Sequence, residues 1–193
     1  MNWLKDNLGL FHNFKELKQL YHSVENNGGI YFVTGFSGLF SPHWDDSVRG
    51  LIVGITSHTQ KGHIIRSAFN AISLRSLEIV ECFEKDSHLK LKSLRVDGGM
   101  VQSDEFLQTQ ANILNAHVHK PSQFEMTVLG SAIVAGLSKE AGLWKDFNEI
   151  QKIIKIDKVF KPQWEPEYRD HVIQKWNLAV EKSKNWIPAN PKF

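Results

Sequence analysis

Asp97-Gly98-Gly99-Met100 follows the run Leu94-Arg95-Val96 and precedes a stretch of helical spacing from Ser103 to Leu114. That order reads as a buried strand, Ser93 to Asp97, ending in a two-glycine turn that feeds a helix. Without Cβ atoms, Gly98 and Gly99 can take backbone angles that other residues avoid, and a ligand can lie against the main chain. The helix behind them would point free N–H groups and the positive end of its dipole at the same spot, which suits a phosphate. The chemistry this pattern offers is nucleotide binding; the competing reading is a glycine turn of purely conformational origin.

Other reactive residue types receive plainer readings. His117 and His119 alternate along a short strand and share a face, yet no third ligand follows at metal spacing, so no metal site is expected. Asp45 and Asp46 have the look of a catalytic carboxylate pair, but beside Pro42 and Ser47 they are expected to shape a loop or cap a turn, with Trp44 and Arg49 ordering it. The six tryptophans are expected in the core, above all Trp176. The single cysteine, Cys82, excludes an intramolecular disulfide framework and fits a packed thiol in a reducing, cytoplasmic compartment.

The elements that must position the glycine turn alternate in type. Met1 to Leu8 reads as a helix ended by Gly9, and Asn13 to Ser23 as a second one opened by an asparagine cap. Ile30 to Val33 and Leu51 to Ile55 read as strands separated by the loop Ser37 to Gly50. Ile65, Ala68, Ile72, Ile79 and Phe83 recur at helical spacing and predict a central helix from Lys61 to Phe83. Ser93 to Asp97, the helix Ser103 to Leu114 and the strand His117 to His119 then form a β-α-β unit. Thr127 to Leu137, with Gly130, Ser131, Ala132, Ala135 and Gly136, predicts a helix built for close packing. A strand near Lys155 to Phe160 precedes Pro166 and a terminal helix with Tyr168, Val172, Trp176 and Ala179 on one face. The whole predicts an α/β domain with a central mixed or largely parallel sheet flanked by helices.

At 193 residues the chain is expected to form one domain, 1–193. A net charge of +2 with dispersed lysines leaves no nucleic-acid footprint. The longest nearly apolar run, Val128 to Leu137, is about half of what a membrane span needs, and the amino terminus has no signal-peptide pattern.

Three segments carry a resemblance that covers essentially the whole chain: Phe36-Ser37-Gly38-Leu39-Phe40-Ser41-Pro42-His43-Trp44-Asp45-Asp46-Ser47-Val48-Arg49-Gly50, then Leu94 to Met100, then Glu125-Met126-Thr127-Val128-Leu129-Gly130-Ser131-Ala132. Their order and spacing resemble the carboxy-terminal half of the glycerol kinases of the FGGY sugar-kinase family. Pentulose kinases of that family carry Gly-Glu-Arg where this chain has Gly38-Leu39-Phe40, so glycerol is the better substrate expectation. The resemblance implies an actin-like, ribonuclease-H-like lobe that binds ATP or ADP, with Mg2+ in the complete enzyme, and a helix Thr127 to Leu137 like the interlobe connector of actin-like ATPases.

It also implies a nucleotide site made by Gly99 through its backbone, Gly98 shaping the turn, Asp97 ending the strand, and Asn2 and Ser103 nearby. Ser103 stands where most members have an asparagine reaching the adenine side; a helix cap is its alternative role. The amino-terminal polyol lobe, the catalytic aspartate and the Gly-Thr-Gly phosphate loop have no counterpart here. The expectation is a glycerol kinase fragment, inactive alone and associating as a homo-oligomer, whose start reflects a truncated gene model, an internal start or a short isoform; the alternative is a noncatalytic short isoform that binds nucleotide weakly or joins a full-length kinase subunit.

Overall fold

A computed structural model describes residues 1–122, 126–151 and 155–187. Two short helices come first, α1 (Asn2–Asp6) and α2 (Phe14–His22). The Asn13 side chain caps α2 by accepting the Glu16 N–H, as the sequence predicts. Strands β1 (Tyr31–Val33) and β2 (Leu51–Val53) pair antiparallel, Phe32 opposite Ile52, across the loop that separates them. Helix α3 (Lys61–Ser87) is one turn longer than its apolar pattern predicts and ends on His88 in the left-handed conformation.

The second half holds the β-α-β unit. Strand β3 (Ser93–Arg95), a 3₁₀ turn (Gly99–Gln102), helix α4 (Asp104–Leu114) and strand β4 (His117–Pro121) follow in order. Strands β3 and β4 pair parallel, Leu94 opposite Val118, and β5 (Ile156–Phe160) adds antiparallel on the other side of β4. Helix α5 (Met126–Gly136), a short α6 (Phe147–Gln151) that the apolar pattern does not reveal, and α7 (Pro166–Ser183) complete the chain, with Pro166 in the first turn of α7. The strands and helices make the α/β domain expected, but the described strands divide between two sheets: a mixed one of three strands and the β1–β2 ribbon.

Two apolar cores result, and β1 separates them through the period-2 alternation of its side chains. Tyr31 and Val33 face a core with Leu74, Leu77, Ile113 and Trp176; Phe32 faces the other, with Leu4, Ile65, Phe69, Leu107 and Val118. Helix α3 serves both, giving Ile65, Ala68 and Phe69 to one core and Ala71, Leu74 and Leu77 to the other. Glu78, on the same helix, joins three segments by accepting from Trp176 Nε1 of α7 at 2.7 Å and lying 3.1 Å from His43 Nε2 in the 37–50 loop. Arg75 pairs with the same carboxylate and donates to the Ser41 carbonyl at 2.9 Å.

Two expectations need correction. The small face of α5 does not pack within the chain: Ser131, Ala132 and Ala135 are exposed, Val134 is 73% exposed, and the helix is held by Ile133 and by Gly136, against which the Trp144 ring lies. Not all tryptophans are core residues either, since Trp44 and Trp186 are 75% and 71% exposed while Trp176 is fully buried. Indole burial is set by what the local backbone faces, and Trp44 sits at a left-handed φ of 49° on a loop crest.

Candidate functional site

The segment after β3 makes the glycine turn, and Asp97 shapes it. One Asp97 oxygen accepts the Gly98 N–H at 2.7 Å, and the other accepts from the Thr127 hydroxyl of α5 at 3.2 Å. One carboxylate thus ties the turn to the helix beginning about thirty residues later, an arrangement well suited to an acidic residue with two acceptor oxygens. Gly98 has φ 92° and ψ 179°, a conformation essentially confined to glycine. Gly99 differs, because its φ lies outside the left-handed region and a Cβ built on it would meet nothing within 4 Å. The fold requires glycine at 98 and does not require it at 99. Both glycines are exposed on the crest of the turn.

Two concavities flank that crest. One, of about 460 Å³, is walled by Leu94, Val96, Asp97 and Met100 against Ile72 and Val80 of α3. The other, of about 340 Å³, lies between α2 and the start of α4, with Gln102, Ser103 and Glu105 facing Lys18 and Tyr21. Asn2 is the exposed first residue of α1, whose Met1 and Trp3 pack against the core that also includes Val96 and Met100.

The helix behind the turn does not aim an open amino end at it. The 3₁₀ turn intervenes, and Ser103 caps α4 itself: its hydroxyl oxygen accepts the Phe106 N–H at 3.2 Å and its O–H donates to Glu105 Oε2 at 3.2 Å. The residue is 7% exposed, so the capping role is the one its geometry fills. Asp104 and Glu105 occupy the first turn, where a negative charge meets the positive end of the dipole. Each has its own partners. Asp104 binds Lys120 of β4 at 2.8 Å and Lys158 of β5 at 2.7 Å, and Glu105 binds Lys18 of α2 at 2.9 Å and His22 at 3.0 Å. Burial alone would raise the Glu105 carboxyl, but the hydrogen bonds from His22 and Lys18 overcome it and hold the group down at about 2. The cap and these pairs therefore serve to fix α4 in place.

The remaining candidates fall where plain chemistry puts them. Asp45 accepts the N–H of Ser47 at 2.9 Å and its hydroxyl at 2.6 Å, a loop-shaping role, and Arg49 donates to the carbonyls of Asp46 and Val48. His117 and His119 lie on β4, and no group of three His, Cys, Asp or Glu able to hold a metal ion occurs among the described residues. Cys82 is half-buried on α3. The Asp97–Thr127 hydrogen bond went unseen in the sequence, since no local pattern links residues so far apart. Glu125 of the third motif lies outside the described residues. No described helix is long and apolar enough to cross a membrane.

Comparison with known proteins gives this geometry a setting. Residues 1–138 match the model of the FGGY family of carbohydrate kinases, C-terminal domain. The glycerol kinase of Nitratidesulfovibrio vulgaris is 42% identical over 189 residues, 98% of this chain and 38% of that protein. The one from Oleidesulfovibrio alaskensis is 41% identical over 186 residues, 96% and 37% respectively. This chain thus spans well under half the length of these relatives. Among solved structures, that of Plasmodium falciparum glycerol kinase with ADP superimposes with a TM-score of 0.85 at 32% identity, covering 94% of this chain and 36% of the other. Xylulose kinase from Lactobacillus acidophilus shares the fold at 23% identity, with a TM-score of 0.76 and the same coverage.

Proposed function

The chain belongs to the FGGY family of carbohydrate kinases, and on that premise we propose that residues 1–193 are the nucleotide-binding carboxy-terminal lobe of a glycerol kinase. The complete enzyme would transfer the γ-phosphate of ATP to a glycerol hydroxyl, giving glycerol 3-phosphate and ADP. The similarity to glycerol kinases along nearly the whole chain supports glycerol as the acceptor. Assembly into a homo-oligomer in the cytoplasm belongs to the same proposal.

One observation carries the assignment of the nucleotide to the 97–99 turn: Gly99 is a glycine that the fold does not need. Its neighbour Gly98 satisfies the backbone, and the bare, open Cα at 99 leaves room for a ligand to approach the main chain, which supports the reading. In this reading Gly99 lets the nucleotide lie against the main chain and Gly98 turns the chain away from β3. Asp97 orients the turn and couples it to α5, with Asn2 of α1 contributing at the rim. Ser103 acts at one remove, holding the amino end of α4 beside the turn. The small exposed face of α5 suits a helix against which another lobe closes. A magnesium ion would accompany the nucleotide, but the described residues include no carboxylate cluster for it, so none is assigned to it.

Phosphoryl transfer depends on positioning and charge stabilisation about the γ-phosphate and the acceptor hydroxyl. The share of this chain is to grip the nucleotide. Calorimetric titration of ADP into the wild-type chain and Gly99→Val tests it. Binding by the wild type and none by the variant, with both unfolding at the same temperature, is the expected result. Equal affinities would remove the turn from the site.

A further inference from the structure

Helix α7 and the β1–β2 ribbon border a third cavity, remote in sequence from the glycine turn, for which the kinase reading has no use. Its volume is about 460 Å³, within the range of small-molecule sites. Tyr31 of β1, Val53 of β2 and Ala179 of α7 supply an apolar lining. The end wall is fixed by glycine: Gly54, at φ +89°, lies so close to the 26–29 turn that a Cβ there would stand 2.2 Å from the Gly29 carbonyl oxygen. Any larger residue would force the ribbon away from that turn.

The other wall is one face of α7, where Tyr168, His171, Lys175, Leu178 and Lys182 recur at three- and four-residue spacing. Trp164 packs edge-on against Tyr168 with ring centroids 4.9 Å apart and steadies that ring. The charges are one-sided, for the lining holds two lysines and a histidine and no carboxylate. Neither Lys175 nor Lys182 meets a carboxylate among the described residues, so both ammonium groups are available to a ligand.

We propose that this cavity binds a small amphipathic anion, its apolar body against Tyr31, Val53 and Ala179 and its phosphate or carboxylate drawn to Lys175 and Lys182. A bare inorganic anion would leave the apolar lining empty, and a neutral hydrocarbon would gain nothing from the two ammonium groups at the rim. Burial pushes the Tyr31 phenol up to about 12, with Tyr168 adding to the shift, so the ring brings no negative charge to oppose such a ligand. The inference does not rest on the nucleotide assignment.

The test uses 1-naphthyl phosphate and 1-naphthoate as probes, with 1-naphthol and inorganic phosphate as the two halves, each titrated calorimetrically into the 193-residue chain. At least one of the aromatic anions binds saturably, and the stronger of the two tells whether a phosphorylated or a carboxylated metabolite is the natural class. Both halves bind far more weakly. Lys175 and Lys182 are exposed, so the double variant K175E/K182E folds and loses about tenfold or more in affinity for the probe. The charge-matched control K139E/K145E and Gly99→Val keep wild-type affinity. Failure of both aromatic anions to bind, 1-naphthol binding as tightly as the anions, or K175E/K182E binding like the control would each overturn the proposal.

Discussion

A single methyl group separates the roles of Gly98 and Gly99. At Gly98, alanine must adopt a backbone conformation that only glycine takes readily, so Gly98→Ala is expected to cost about 1–3 kcal/mol of stability and lower the melting temperature. At Gly99 alanine meets open space, and the fold should tolerate it. Circular dichroism melts of the two variants read the contrast directly. Ser103 allows a similar separation. Ser103→Ala removes the cap and costs about 1 kcal/mol, while Ser103→Asn keeps the cap, because the asparagine oxygen can accept the same N–H. Melting temperature should therefore fall for the alanine variant alone, and any gain in ADP affinity in the asparagine variant reports the amide reaching the nucleotide.

Between elements, carboxylates hold the fold at two joints. Glu78 accepts from α7, the 37–50 loop and α3 at once, and it is 9% exposed. Glu78→Ala leaves the buried Trp176 N–H without an acceptor and the half-buried Arg75 with only the Ser41 carbonyl, a loss of about 1–3 kcal/mol measurable by urea denaturation. Glu105 latches α2 to α4 and titrates lower in the folded chain than in the unfolded one. Its contribution is complete above the unfolded value of 4.5 and is lost as pH falls toward the folded value of about 2. Acid denaturation should steepen across that window, and Glu105→Gln should flatten the slope there. Neither joint was legible in the sequence, since Glu78 and Trp176 are 98 residues apart and Glu105 and His22 are 83 apart. What could be read were the local signals: the Asn13 cap, the apolar period of α3, the β-α-β order, the Asp45–Ser47 turn. Helix α6 escaped because five residues are too few to show a period. The placement of an open helix end at the glycine turn failed because a 3₁₀ turn intervenes, which composition does not encode, and because Ser103 fills the capping role that its residue type had offered as the alternative.

For the molecule as a whole, the proposed reading gives this chain the nucleotide and leaves the groups around the reacting atoms to parts of the family's proteins that it does not span. The purified 193-residue chain is expected to yield no glycerol 3-phosphate in a coupled assay, because enzymes exceed solution rates by roughly a millionfold or more through groups placed around the reacting atoms, and none of the residues here is assigned there. Robust turnover by the chain alone would overturn that division of labour. The two cores need not behave as two bodies. Helix α3 lends its first half to one and its middle to the other, and β1 and α4 are likewise shared, so neither core can open without releasing side chains that the other depends on. The consequence is one of timing and cooperativity. The backbone amides between Ile65 and Leu77 should exchange with deuterium only through global unfolding, making that stretch the slowest clock in the protein, while α5, with its exposed small face, exchanges through local opening long before it.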